Sequence, residues 1–274
     1  TRTMSEPQPA HRPAVPPLAE LRARPHWRTV DFISDLHLKA EEPHTFQAWQ
    51  HYMLHTPADA VFILGDLFEV WVGDDSALPG SFEDHCGQVL RAAGAAMDVF
   101  FMRGNRVFLV SADFLARCGV HDLADPTALS FQQHACLLTH GDLLCTDDVA
   151  YQQFRRQVRT PEWQAAFLAR PLAERQAMAR QMREHSEAHH AAQGVYAHID
   201  AELARRWLAE AGATTLIHGH THQPGDHALG ADAAGRPLTQ VVLSDWHVTA
   251  AERRLQVLRL TPADGLQRVT PRLG

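Results

Sequence analysis

The chain has 274 residues, 45% hydrophobic and 21% charged, enough to bury a sizeable core in one large domain or two small ones. Its net charge of −7 supplies no global basic field, which argues against nucleic acid as a partner. The four cysteines, Cys86, Cys118, Cys136 and Cys145, lack CxxC spacing and point to reduced thiols in a cytosolic setting.

Residues 1–26 carry six prolines and no long apolar run, which predicts a disordered or extended tail without a signal-peptide core. No stretch is apolar enough to span a bilayer, so any membrane contact is expected to be peripheral. From Trp27 onward, short apolar runs read as strands: TVDFIS (29–34), AVFILG (60–65), DVFFMR (98–103), HACLLTH (134–140), TTLIHG (214–219) and TQVVLS (239–244). The first runs are nearly continuous in apolar residues, as for strands buried on both faces. RLQVLRL (254–260) alternates and predicts a more exposed strand. EPHTFQAWQHYMLHT and SFEDHCGQVLRAAGAA, lying between these runs, have helical spacing, so the order is βαβαβ and predicts an α/β sandwich.

Residues 147–210 break this rhythm, with no strand candidate and strongly helical composition. They predict a helical cap inserted into a core made of 27–146 and 211–274. Trp163, Phe167, Met178 and Met182 are candidates to line an apolar groove, and the segment's many arginines are candidates to attract anionic groups.

The ends of the strand runs carry the chemistry. Asp35 and His37 follow the first, Asp66 the second and Asn105 with Arg106 the third; His140 ends the fourth, and His220 and His222 follow the fifth. Open α/β sheets place their sites at the carboxyl ends of strands. Imidazole, carboxylate and amide oxygen together suit borderline divalent ions, and the mixture fits a pair of ions doing phosphate transfer. Asp66, preceded by Gly65, suits a bridging carboxylate. His134, His218 and His247 are left outside this set, although His247 also lies at a strand end.

The ordered motifs D-x-H, GD, GN, H and G-H-x-H resemble those of the calcineurin-like metallophosphoesterases. GNR at 104–106, with ILGDLFEVWVGDD (63–75), THGDLLCTDDVAYQQFR (139–155) and LIHGHTHQP (216–224), resembles one branch of that family, from about Thr29 to Leu260. This branch hydrolyses UDP-2,3-diacylglucosamine in lipid A biosynthesis. The resemblance implies an αββα sandwich with a helical cap and two Mn²⁺ ions. One ion would be held by Asp35, His37 and His222, the other by Asn105, His140 and His220, with Asp66 as the bridge. It implies catalytic roles for Arg106 and Asp66 and substrate contacts from Asn105, Arg106, Asp148, Ser186, His190, Gln193 and His220. It also implies a cytoplasmic protein, peripheral on the inner membrane.

Two departures stand out. Val107 follows GNR where the branch usually has Asp, so either Arg106 is held less well or another acid substitutes, with Asp74 and Asp75 the candidates by nearness. His190 and Gln193 replace the usual Asn and Lys. Two other readings remain open: hydrolysis of a different nucleotide diphosphate, and a metal-binding scaffold without catalysis.

Overall fold

The computed structural model describes residues 13–193 and 198–272, with the backbone alone described for 185–193. In chain order the strands are β1 (Ala19–Arg22), β2 (Val30–Ile33), β3 (Ala60–Leu64), β4 (Asp98–Met102), β5 (His121–Leu123), β6 (Thr127–Phe131), β7 (His134–Leu138), β8 (Thr215–His218), β9 (Gly225–Ala231), β10 (Pro237–Val242), β11 (His247–Val248), β12 (Arg253–Arg254), β13 (Val257–Thr261) and β14 (Gly265–Val269). The helices are α1 (Pro43–His55), α2 (Phe82–Ala96), α3 (Ala112–Arg117), α4 (Val149–Val158), α5 (Pro161–Leu168), α6 (Leu172–Gln193) and α7 (Ala201–Ala211).

Two six-stranded sheets face each other, ordered β14-β13-β2-β3-β4-β5 and β1-β6-β7-β8-β10-β9. Strands β2 to β5 pair in parallel, as do β7 with β8 and β8 with β10. The layer between the sheets is apolar from both sides: Phe32, Phe62 and Phe100 meet Leu129, Phe131, Leu138 and Ile217. VDFI and AVFIL are buried at every position, as for strands covered on both faces, and the one charge among them, Asp31, is paired with Arg259. Helices α1 and α2 seal the outer face of the first sheet through Trp49, Met53, Val89 and Leu90.

Helix α7 seals the second sheet. Leu203, Ala204, Trp207 and Leu208 pack on Leu137 and Leu216, and each large apolar side chain so buried contributes about 1.5–3 kcal/mol. Asp200 caps its first turn, and Gly212 ends it in the left-handed conformation. Helix α7 is therefore part of the αββα sandwich, and the inserted segment ends before Asp200 rather than at 210. The expected tail also needs shortening. Ala19–Arg22 pairs in parallel with Thr127–Ser130, and Leu21 and Ala23 rest against the layer between the sheets.

Helices α4 to α6 form the remaining insertion. Phe167 is buried in the core, with Trp163, Leu172 and Met178 half-buried beside it. Phe167 thus joins the helices to the sandwich instead of lining an open groove. All four cysteines are free and buried.

Candidate metal centre

Parallel strands end at a common edge, and here the ends of both sheets contribute. Loops after β2, β3 and β4 present Asp35, His37, Asp66, Asn105 and Arg106; loops after β7 and β8 present His140, His220 and His222. Asp35, His37, Asp66, His220 and His222 all adopt positive φ, between 47° and 67°. Side chains seldom accept this backbone, and each such residue costs about 1–3 kcal/mol. The sharp turns aim their ligand atoms inward. Close approach also fixes two glycines: a Cβ on Gly104 would strike the Asp66 carboxylate, and one on Gly219 would strike that of Asp35.

One group comprises Asp35, His37 and His222. The Nε2 atoms of His37 and His222 stand 3.1 Å apart. Asp35 Oδ1 lies 3.9 Å and 3.4 Å from them. That oxygen is buried and accepts no hydrogen bond, whereas Oδ2 accepts from Ser34 Oγ at 2.6 Å and from the His220 backbone N–H at 2.8 Å. A second group comprises Asp35, Asp66 and His140. Asn105 Oδ1 lies 2.9 Å from His140 Nε2 and 3.0 Å from His220 Nδ1. The Leu64 carbonyl, 3.0 Å from His140 Nδ1, can only accept, so this nitrogen carries the proton. In the neutral ring, Nε2 then presents a lone pair to Asn105 Oδ1 and, at 3.6 Å, to Asp66 Oδ2. Lone pairs converging this way are relieved by a proton or by a metal cation, and a second hydrogen bond that fixes the ring is usual for a histidine ligand. The donor set fits divalent metal ions.

The electrostatics express the same demand. Burial opposes charge on His140, but the Asp66 and Asp35 carboxylates outweigh it and raise its pKa to about 9. Burial and the neighbouring His140 push His220 down to about 3. Burial, reinforced by Asp35, raises Asp66 to about 6. Without a cation the cluster retains a proton at its centre.

Arg106 is held by a carboxylate that the sequence reading missed. Its guanidinium pairs with Glu69, which also accepts from Arg183 at 2.9 Å and lies 3.6 Å from His37 Nδ1. Asp74 and Asp75 do not serve Arg106: Asp74 accepts from Trp71 and Ser111, and Asp75 pairs with Arg175. Val107 is fully buried in the apolar core. The Arg106 backbone N–H donates to Asp66 Oδ1 at 3.0 Å.

Asp148 caps α4 by accepting from the Tyr151 N–H at 2.9 Å. The side chains of Ser186, His190 and Gln193 lie outside the described residues. His218 is buried away from the ligand groups, engaged with the Gly219 carbonyl and Gln240; His247 sits 3.4 Å from Glu42. Asp142 is a second missed residue. Fully buried, it accepts from Tyr151 Oη at 2.5 Å and Arg155 Nε at 2.7 Å, tying α4 to the loop that carries His140. Its one sequence signal is an acid two residues past a strand-end histidine.

The pattern that defines the calcineurin-like phosphoesterases matches residues 28–224. The chain belongs to that family. A protein of Xanthomonas oryzae pv. oryzae (strain PXO99A) named UDP-2,3-diacylglucosamine hydrolase is 44% identical over 239 residues, covering 83% of this chain and 95% of its own. A namesake from Stenotrophomonas maltophilia (strain K279a) is 42% identical over 235 residues, covering 80% and 91%. Among solved structures, an Escherichia coli phosphoesterase aligns over 88% of this chain and 98% of its own at 15% identity, with a TM-score of 0.41.

Proposed function

We propose that this protein hydrolyses the diphosphate of UDP-2,3-diacylglucosamine, giving UMP and 2,3-diacylglucosamine 1-phosphate in lipid A biosynthesis. The observation that supports the reading is the gathering of seven candidate ligand side chains from five strand ends into two adjoining groups, in a chain whose named relatives align over most of its length. We assign Asp35, His37 and His222 to one Mn²⁺ and Asn105, His140 and His220 to a second, with Asp66 between them. When bound, such a pair of ions supplies a hydroxide nucleophile near neutral pH and neutralises the phosphoryl oxygens.

The protein's own groups do the rest. Ser34 and the His220 backbone hold Asp35, and the Leu64 carbonyl fixes the His140 ring. Arg106, permanently charged, is placed to leave Glu69 and take the phosphoryl group, stabilising the charge that builds there. Arginine cannot donate a proton at neutral pH, so the reaction needs a leaving group that departs as an anion, and one half of a diphosphate does so. Arg183, sharing Glu69 with Arg106, stands ready for a second phosphate oxygen. Asp148, Ser186, His190 and Gln193 are assigned to the sugar-lipid half, with α4 to α6 as the cap. Val149, Phe154 and Leu168 are exposed on these helices, and no described helix is long and apolar enough to cross a membrane. This combination suits a protein resting on the cytoplasmic face of the inner membrane while handling an acylated substrate.

The test is UMP release from UDP-2,3-diacylglucosamine after chelation, with and without added Mn²⁺, for wild type and Arg106→Ala. The expected result is Mn²⁺-dependent release that falls by about 10²-fold or more in the variant. Release only from other nucleotide diphosphates would reject the substrate, and no turnover on either would reject the enzyme.

A further inference from the structure

The inserted helix α6 meets the catalytic loop at two points of unequal strength. The loop 65–76 begins with Asp66 at the metal centre and carries Glu69, Val72 and Asp75. Arg183 of α6 reaches Glu69, but this side chain is 42% exposed and its carboxylate partner is shared with Arg106. Solvent at the exposed guanidinium weakens this pair although Glu69 itself is largely buried, so it is a poor anchor for a helix. Arg175, two turns earlier on α6, is only 2% exposed; its partner Asp75 is exposed, so the hold lies in the buried guanidinium and its backbone carbonyl contacts. Its guanidinium grips both oxygens of Asp75 and donates to the Val72 carbonyl, while Nε donates to the Arg170 carbonyl at 3.0 Å. Gly73 leaves the room, since a Cβ there would strike the guanidinium. Arginine's planar fork suits this grip, and lysine cannot reproduce it.

We propose that Arg175 is a positioning residue for hydrolysis of the nucleotide-lipid, anchoring α6 to the loop that carries Asp66 and Glu69. The proposal rests on the substrate reading above. When phosphates draw Arg106 and Arg183 away from Glu69, the α6 contact at that carboxylate is given up. The buried contact at Arg175 remains and keeps the register of α6 against the metal centre. Arg183 lies eight residues further on, about 12 Å along the helix axis, so a tilt at Arg175 is magnified where the substrate is met. A misplacement of about 1 Å lowers the rate by about 10²-fold in a reaction that depends on orientation.

Wild type, Arg175→Lys, Arg175→Ala and Asp75→Asn should be compared on two substrates with Mn²⁺: UDP-2,3-diacylglucosamine, and bis(4-nitrophenyl) phosphate, which is too small to need α6. Thermal melting reports the fold in parallel. Arg175→Ala should raise KM or lower kcat/KM for the nucleotide-lipid by about tenfold or more while hydrolysis of the small diester stays within about twofold. Asp75→Asn, which keeps the guanidinium and its carbonyl contacts, should shift the same ratio by less, and Arg175→Lys should recover part of it. Equal losses on both substrates, or an unchanged ratio in Arg175→Ala and Asp75→Asn, would overturn the proposal. Wild type that cleaves the small diester but not the nucleotide-lipid would instead overturn the substrate reading on which the proposal depends.

Discussion

Gly104→Ala is a one-carbon perturbation aimed at the metal centre. The backbone of Gly104 lies outside the left-handed region, so alanine meets no conformational penalty there and the effect is steric alone. A Cβ at this position would lie 2.7 Å from both the backbone nitrogen and the carboxyl carbon of Asp66. Ordinary contact begins near 3.4 Å, so the loops after β3 and β4 must separate by at least about 0.7 Å, and Asp66 Oδ1, which the Cβ meets closer still, must move further. Neither side yields easily. Asp66 is pinned by the Arg106 N–H, and the Gly104 carbonyl is pinned by Arg159 at 2.9 Å. Overpacking of this kind costs about 1–3 kcal/mol in stability. The displacement falls on Asp66 and Asn105 together, and disturbance next to metal ligands weakens metal binding by about 10–100-fold. The assay is Mn²⁺ titration of the chelated protein by calorimetry, with urea unfolding alongside. Affinity within a factor of about two of wild type, at unchanged stability, would show that the close approach between Gly104 and Asp66 does not hold the site together.

Two further outcomes follow from buried charges. Asp31, fully buried in β2, receives two 2.8 Å hydrogen bonds from Arg259, with Tyr52 and Thr56 as additional donors. Arg259→Ala leaves that carboxylate without a countercharge and should destabilise the fold by about 3 kcal/mol, the lower end for a broken buried pair because the two hydroxyls continue to donate; a loss below about 1 kcal/mol in urea would contradict this. The hydrogen bond from the Arg175 guanidinium holds the Asp75 carboxyl below its ordinary pKa, outweighing its slight burial. A depressed carboxyl contributes its stability above the unfolded pKa, about 3.9, and loses it as pH falls through the folded pKa. The melting-temperature gap between wild type and Asp75→Asn should therefore be present near pH 7 and close on acidification, and a gap that persists in acid would refute the linkage.

The fold's centre was legible because burial on both faces leaves an unmistakable apolar run. AVFIL is such a run and VDFI is one apart from Asp31, whose charge Arg259 meets; β3 and β2 formed there. Edge strands send no such signal. GDHALGA of β9 is exposed at most positions and is strand because β10 lends it hydrogen bonds. AELR of β1 is likewise recruited by β6. Helix α7 looked like more of the insertion because an amphipathic helix does not reveal which surface it covers. At the site, the ligand types were legible from their places at strand ends. Glu69 was not, since an acid three residues past Asp66 reads as a solvated loop until Arg106 and Arg183 are seen to converge on it. Asp142 was hidden likewise, its partners lying 9 and 13 residues on.

The metal centre draws on both sheets: Asp35, His37, Asp66 and Asn105 come from one, His140, His220 and His222 from the other. The two half-sets are held apart by the layer between the sheets, where Phe32, Phe62 and Phe100 of the first sheet meet Leu129, Phe131, Leu138 and Ile217 of the second. The hydrophobic interior thus works as a spacer gauge for the inorganic chemistry. A conservative change there, far from any candidate ligand, should therefore alter how far apart the two halves stand.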